Sequence, residues 1–108
     1  MAKHKYDVFM PKTSEQLESF LQQLLKKRAQ NIIVKLIAGY IDADELLSLF
    51  FKYEELLKTY KKNKSIVFLI EEFNYNQIPD FISIAPTEEE AIDIIDFEEI
   101  ERDLFLED

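Results

Sequence analysis

The sequence predicts one α/β domain on a mainly parallel four-stranded sheet flanked by helices, and three observations carry that expectation. Two short runs, NIIVKLI (31–37) and KSIVFLIEE (64–72), are β-branched and apolar at even and odd positions alike, the pattern of strands covered on both faces. Around them lie longer stretches with apolar residues at helical spacing. The resulting order, β, α, β, α, β, β, α, alternates as a parallel sheet requires, because parallel neighbours are joined by crossovers.

Residues 6–10 read as a short strand stopped by Pro11. TSEQLESFLQQLLKKRAQ (13–30) opens with Thr13 and Gln16 at capping-box spacing and places Leu17, Phe20, Leu21, Leu24 and Leu25 on one helical face. After the strand at 31–37 comes Gly39, the only glycine of the chain, in a turn where a positive φ suits it. The second helix is expected in one piece over 43–61, with Leu46, Leu49, Phe50, Tyr53, Leu56, Leu57 and Tyr60 as its core stripe. Leu47 and Phe51 fall outside that stripe. The third strand at 64–72 is followed by a loop, FNYNQIPD, and a short strand, FISIA, closed by Pro86. The last helix starts with Thr87 as cap and Glu88, Glu89 and Glu90 in its first turn, where the helix dipole favours carboxylates. Ala91, Ile92 and Ile95 are placed to pack it on the sheet. Residues 97–108 of this single domain (1–108) continue as an acidic amphipathic extension, with Phe97, Ile100 and Leu104 at helical spacing and Glu98 and Glu99 placed to pair with Arg102. That stripe must pack on this domain, on a second copy or on a partner.

Composition narrows the function. At 108 residues and 47% hydrophobic, the chain has enough apolar side chain for one core. It has no cysteine, which excludes a disulfide framework or a thiolate metal site and fits a reducing cytoplasm, the expected location. No apolar run approaches the roughly 18 residues that span a bilayer, and MAKHKYDVFMPK lacks the apolar core of a signal peptide. The net charge of −9 is concentrated at one end: from Thr87 onward eleven acidic residues face one basic residue, Arg102, giving −10 and leaving +1 for residues 1–86. An acidic surface of this kind repels phosphate backbones, so no nucleic acid is expected as partner, and without a spanning run no membrane is expected either. The cluster Lys61, Lys62 and Lys64 reads as a solvated loop.

The stretch YIDADELLSLF (40–50) is the first candidate site. Asp42 with Glu45 three residues on has capping-box spacing; the competing reading is an Asp-x-Asp magnesium and phosphate site at a strand end. The second lacks its further parts, since Pro11 and Lys12 stand where a receiver-type site needs acidic residues. His4 is the only histidine, which removes a histidine metal cluster or a nucleophilic triad, and one glycine cannot make a phosphate loop. Glu71 and Glu72 are adjacent on an extended segment and point to opposite faces, so they do not form a general acid and base pair. No cofactor, metal or catalytic residue is expected.

The succession NIIVKL, YIDADELLSLFFKYEELLKTYKKNKSIVFLI and FISIAPTEEEAIDII resembles a STAS domain, the fold of sulfate-transporter C-terminal domains and anti-sigma-factor antagonists. The family has an apolar strand, an Asp-Ser-Ser-Gly or Asp-Ser-Thr-Gly turn opening a helix, a lysine-rich connection, another strand and a helix opening with a Ser/Thr-x-Glu-Glu-Ala-like segment. Asp42 matches the aspartate; Ala43, Asp44 and Glu45 stand where the hydroxyl pair and glycine would be, so the phosphorylatable serine is missing. Over residues 31–104, the segments IPD, APT, EAIDII and EEIERDL are also similar to the ending of short bacterial STAS-like proteins that carry the label ribonuclease Z. That label implies a two-zinc metallo-β-lactamase centre with a His-x-His-x-Asp-His cluster, which one histidine cannot build.

The resemblance implies a non-enzymatic interaction module of a bacterial cytoplasm that binds a protein partner, or itself, around the aspartate turn and the helix after it. The residues at that surface would be Asp42, Asp44, Glu45, Leu47 and Phe51; Phe97, Ile100 and Leu104 would form a second interaction face. A regulatory switch, with Asp44 as a fixed negative charge, stands beside an adaptor for a nuclease or other enzyme and a small-molecule carrier.

Overall fold

The computed structural model describes residues 6–26, 30–71 and 75–106. Four strands, β1 (Tyr6–Phe9), β2 (Asn31–Leu36), β3 (Ile66–Ile70) and β4 (Ser83–Ala85), form one sheet in the order β1-β2-β3-β4, with every pairing parallel. Helix α1 (Ser14–Gln22) joins β1 to β2, and α2 (Ala43–Lys52) with α3 (Glu54–Tyr60) joins β2 to β3. Helix α4 (Glu88–Leu106) follows β4. The expected element order is therefore observed, with a 3-10 turn over Tyr75–Gln77 added between β3 and β4.

Strand parity divides the core. The even positions of β2 and β3, Ile32, Val34, Leu36, Ile66, Phe68 and Ile70, pack against Leu17 and Leu21 of α1, Leu46, Leu49 and Phe50 of α2, and Leu57 and Tyr60 of α3. Phe50 meets Phe68 edge to face at 4.8 Å between ring centroids. Ile33, Val67, Leu69 and Ala85, on the opposite face, pack against Ala91 and Ile95 of α4. Consecutive strand order puts α1, α2 and α3 on one face, and α4 alone covers the other, over β3, β4 and part of β2. Val8 and Met10, at the β1 edge of this layer, remain about half exposed.

Thr13 caps α1 as expected, accepting from the Gln16 N–H at 3.1 Å, but the Gln16 side chain accepts from the Lys12 N–H at 2.8 Å rather than from Thr13. The helix ends at Gln22 and runs out in turns, which carries Leu24 into the core and leaves Leu25 half exposed, off the expected face. Residues 27–29 of the expected helix lie outside the described residues. The single helix expected over 43–61 is two, broken at Tyr53 (φ −108°, ψ 25°), although the Tyr53 N–H still reaches Leu49 O and Leu57 N–H reaches Tyr53 O. Gly39 has φ 89°, the left-handed region its turn requires. Thr87 caps α4 by accepting from Glu90 N–H at 3.2 Å.

Candidate functional site

The two halves of the α2 surface separate. At its start Asp42 is the cap, accepting from the Asp44 N–H at 3.3 Å while its carbonyl takes the Leu46 N–H at 2.9 Å. Glu45 does not close a capping box; its carboxylate accepts from the Ser14 hydroxyl at 3.2 Å, tying α2 to the start of α1. Asp42, Asp44 and Glu45 are all exposed. Beside them, at the carboxyl ends of β2 and β3, lies a cavity of about 360 Å³ lined by Leu36, Ile37, Gly39, Ile41, Leu46 and Ile70, among others. Parallel α/β sheets bind ligands at the carboxyl ends of strands where the strand order reverses, and the consecutive order β1-β2-β3-β4 has no reversal between β2 and β3. Its side chains are apolar apart from Asp42, while polar backbone atoms contribute much of the remaining surface.

Leu47 and Phe51 do not form one patch. Leu47 is half-buried against the three-helix core, so its position outside the ideal stripe reflects the breadth of that core rather than a free surface. Phe51 is 57% exposed and stands at the lip of an open groove of about 580 Å³ between α2, α3 and the β3–β4 connection, with Ile78, Pro79 and Phe81 opposite. Its ring meets that of Phe81 edge to face at 6.1 Å. The Lys58 ammonium lies 5.6 Å from the Phe81 ring centre and pairs with Glu54 at 2.6 Å, whose hydrogen bond raises the lysine pKa. An aromatic lip with one cation and two carboxylates around it suits an extended or helical peptide better than a charged metabolite.

Helix α4 is the least ordinary element. Its first turns bury Ala91 and Ile95, and from there the body-facing side becomes polar. Glu98 accepts from the Ser65 hydroxyl at 2.6 Å and from the Ser83 hydroxyl at 2.8 Å; Lys61 Nζ donates to Ser83 Oγ at 2.9 Å and to Phe81 O at 3.3 Å. Arg102 donates to Ser65 Oγ at 3.0 Å and to Lys61 O at 3.3 Å and pairs with Glu99. The side chains of Glu98, Glu99 and Arg102 are each only 17% exposed. Ser65 N–H completes this end of the sheet by donating to the buried Asn31 Oδ1 at 2.8 Å. Phe97, Ile100 and Leu104 point the other way, 61%, 55% and 61% exposed. The stripe therefore does not wrap this domain's own core.

Two sequence expectations are corrected here. Glu98 pairs with the two serines and Lys61 instead of Arg102; Glu99 takes the arginine. Lys61 is not a loop lysine in solvent, whereas Lys62 is exposed. The network of Lys61, Ser65, Ser83, Glu98 and Arg102 escaped the sequence reading, and its signal was two serines beside or at the start of apolar strands with a Glu and an Arg four apart on one face of the last helix. Glu71 is exposed, while its neighbour Glu72, like His4, Glu107 and Asp108, lies outside the described residues. Among the described residues no group of three His, Cys, Asp or Glu is placed to hold a metal ion, and no helix is long and apolar enough to cross a membrane. The buried Oδ1 of Asp96 has no hydrogen-bond partner.

The fold and site together define a three-layer α/β protein with two separate apolar surfaces on its helices. No protein-family model, curated protein or solved structure matches this chain.

Proposed function

We propose that this chain is a non-enzymatic protein-interaction module of the bacterial cytoplasm, of the STAS-like, anti-sigma-factor-antagonist-like kind. The observation that carries the reading is the exposure of Phe51, Phe97, Ile100 and Leu104 on helices whose other faces are packed. Large apolar side chains gathered in this way, at a groove and along a helix, mark surfaces that associate. Asp42 and Asp44 stand at the α2 start, where the family carries its phosphorylatable serine, and Asp44 supplies a permanent negative charge there. One carboxylate has less charge and fewer acceptors than a phosphate, so the switch is fixed rather than regulated.

The ~360 Å³ cavity at the carboxyl ends of β2 and β3, whose side chains are apolar apart from Asp42, favours one alternative, a small-molecule carrier. Affinity capture from the native host, with wild type beside Phe51→Asp, separates the two. A protein retained by wild type and lost with Phe51→Asp supports the module. A non-covalent small ligand seen by native mass spectrometry, with no protein partner, selects the carrier. An accessory role beside a nuclease is read from the identity of the captured partner.

A further inference from the structure

The C-terminal half of α4 is amphipathic in the inverted sense. Beyond Ile95 the residues turned to the domain are charged, Glu98, Glu99 and Arg102, and those turned to solvent are Phe97, Ile100 and Leu104. A helix that only closed its own domain would bury the apolar set, because that exchange removes three large side chains from water. Here the opposite rotation is held by specific bonds: Glu98 bridges Ser65 and Ser83, and Arg102 reaches Ser65 Oγ and Lys61 O. The stripe is thus presented by a helix fixed to the sheet. Its residues recur at three and four positions, the spacing of a two-helix seam.

Charge decides what covers it. Glu89, Glu90, Asp93, Glu101 and Asp103 are exposed around the stripe, and the only basic residue of α4, Arg102, is turned inward. A second copy of the chain would set one such row of carboxylates against another, and like charges across a helix pair oppose association. A membrane surface is unsuited as well, since helices that lie on anionic lipid carry lysine and arginine on their polar face. Resting on the interaction-module reading, we infer that the outer face of α4 docks a basic amphipathic helix of a partner protein, apolar residues against Phe97, Ile100 and Leu104, lysines or arginines against the flanking carboxylates.

The test uses the full chain and two fluorescent peptides of about 18 residues, each with leucines at i, i+3, i+4 and i+7; one carries lysines at the other positions and its twin carries glutamates. Anisotropy is expected to give binding of the lysine peptide alone, weakening as salt rises from about 50 to about 500 mM. Phe97→Ser/Ile100→Ser/Leu104→Ser should lower its affinity at least about tenfold with an unchanged thermal melt, as expected for side chains that touch little. Asp93→Asn/Glu101→Gln, which spares the stripe, should weaken binding several-fold and flatten the salt dependence. Equal binding by the triple variant, equal binding of the glutamate peptide, or no binding of the lysine peptide overturns the inference. So does sedimentation showing a dimer of wild type that tightens with salt and is lost in the triple variant, which gives the face to a second copy. Binding that survives the triple variant but is lost with Phe51→Asp places the peptide in the α2 groove; it overturns this inference and leaves the broader reading standing.

Discussion

The two faces of the sheet are closed by different means. On one, α1, α2 and α3 lay down a continuous apolar layer around Phe50 and Phe68. On the other, α4 supplies a narrower apolar contact, the buried Ala91 and Ile95 with the partly buried Ile92 and Ile94 beside them, and then a polar lock built from Ser65, Ser83, Glu98, Arg102 and Lys61. Hydrophobic burial is non-directional and proportional to area, so the three-helix face gains most of the stability simply by turning the apolar stripe of each helix inward. Hydrogen bonds contribute less and are directional. The α4 face therefore fixes which side of a helix meets solvent, and that is what an interaction surface requires.

If the division is correct, the largest loss comes from the apolar face. Phe50→Ala, at a fully buried ring with Phe68 beside it, should destabilise the protein by about 3–5 kcal/mol in urea denaturation. A loss under about 1 kcal/mol would mean that the three-helix layer repacks freely and is not the main source of stability.

Glu98→Gln sharpens the other half. It keeps the shape of the side chain but turns one of the two oxygens that accept from Ser65 and Ser83 into an amide donor and removes the charge opposite Lys61, which should cost about 1–3 kcal/mol. Hydrogen exchange should quicken most in the last turns of α4 and little in α1. Uniform quickening across both faces would show that the lock is not local.

Much of this contrast was legible in the sequence, and the part that was not has a physical reason. The both-parity apolar runs gave the parallel sheet, and the 3.6-residue stripes gave Leu17, Leu21, Leu46, Leu49, Phe50, Leu57 and Tyr60 as core. Periodicity reports that Phe97, Ile100 and Leu104 share a helix face but not which way the face turns, because the rotation of α4 is set by partners more than thirty residues away in sequence, Lys61 and Ser65. The same limit applies to Leu47, which a helical wheel puts outside the core and the tertiary packing brings half inside. Glu45 illustrates local spacing overruled: its distance from Asp42 suits a capping box, yet Ser14 of the neighbouring helix competes successfully for the carboxylate.

The start of α2 offers a smaller test of local against tertiary control. Asp42→Ala removes the cap on Asp44 N–H and should cost about 1 kcal/mol, whereas Asp44→Ser, at an exposed first-turn position, should change stability by less than about 0.5 kcal/mol. Thermal melts of both variants check this. A large loss from Asp44→Ser would mean that its side chain holds the turn and is not simply a charge displayed there.

The smallest effect belongs to an ionic contact that supports the apolar face from outside. Glu18 of α1 accepts from Lys52 Nζ and from the Tyr53 hydroxyl, both at 2.6 Å, and so holds the junction at which α2 breaks into α3. Those hydrogen bonds, the lysine's first, lower the Glu18 pKa, while the same contact raises that of Lys52. A carboxylate whose pKa is lower in the folded than in the unfolded state favours folding above its ordinary value of about 4.3, and the contribution is lost as pH falls through the lowered folded value. A raised lysine contributes below its ordinary value of about 10.4 and is lost only above it, so the pair should act fully near neutrality. Glu18→Gln should therefore melt slightly below wild type at about pH 7, and the gap should close as the pH is taken below about 4. Because the pair is solvent-screened, added salt should also narrow the gap. A gap that survives acid and salt unchanged would assign the role of Glu18 to the neutral hydrogen bond with Tyr53, and the α2–α3 junction would then depend on geometry alone.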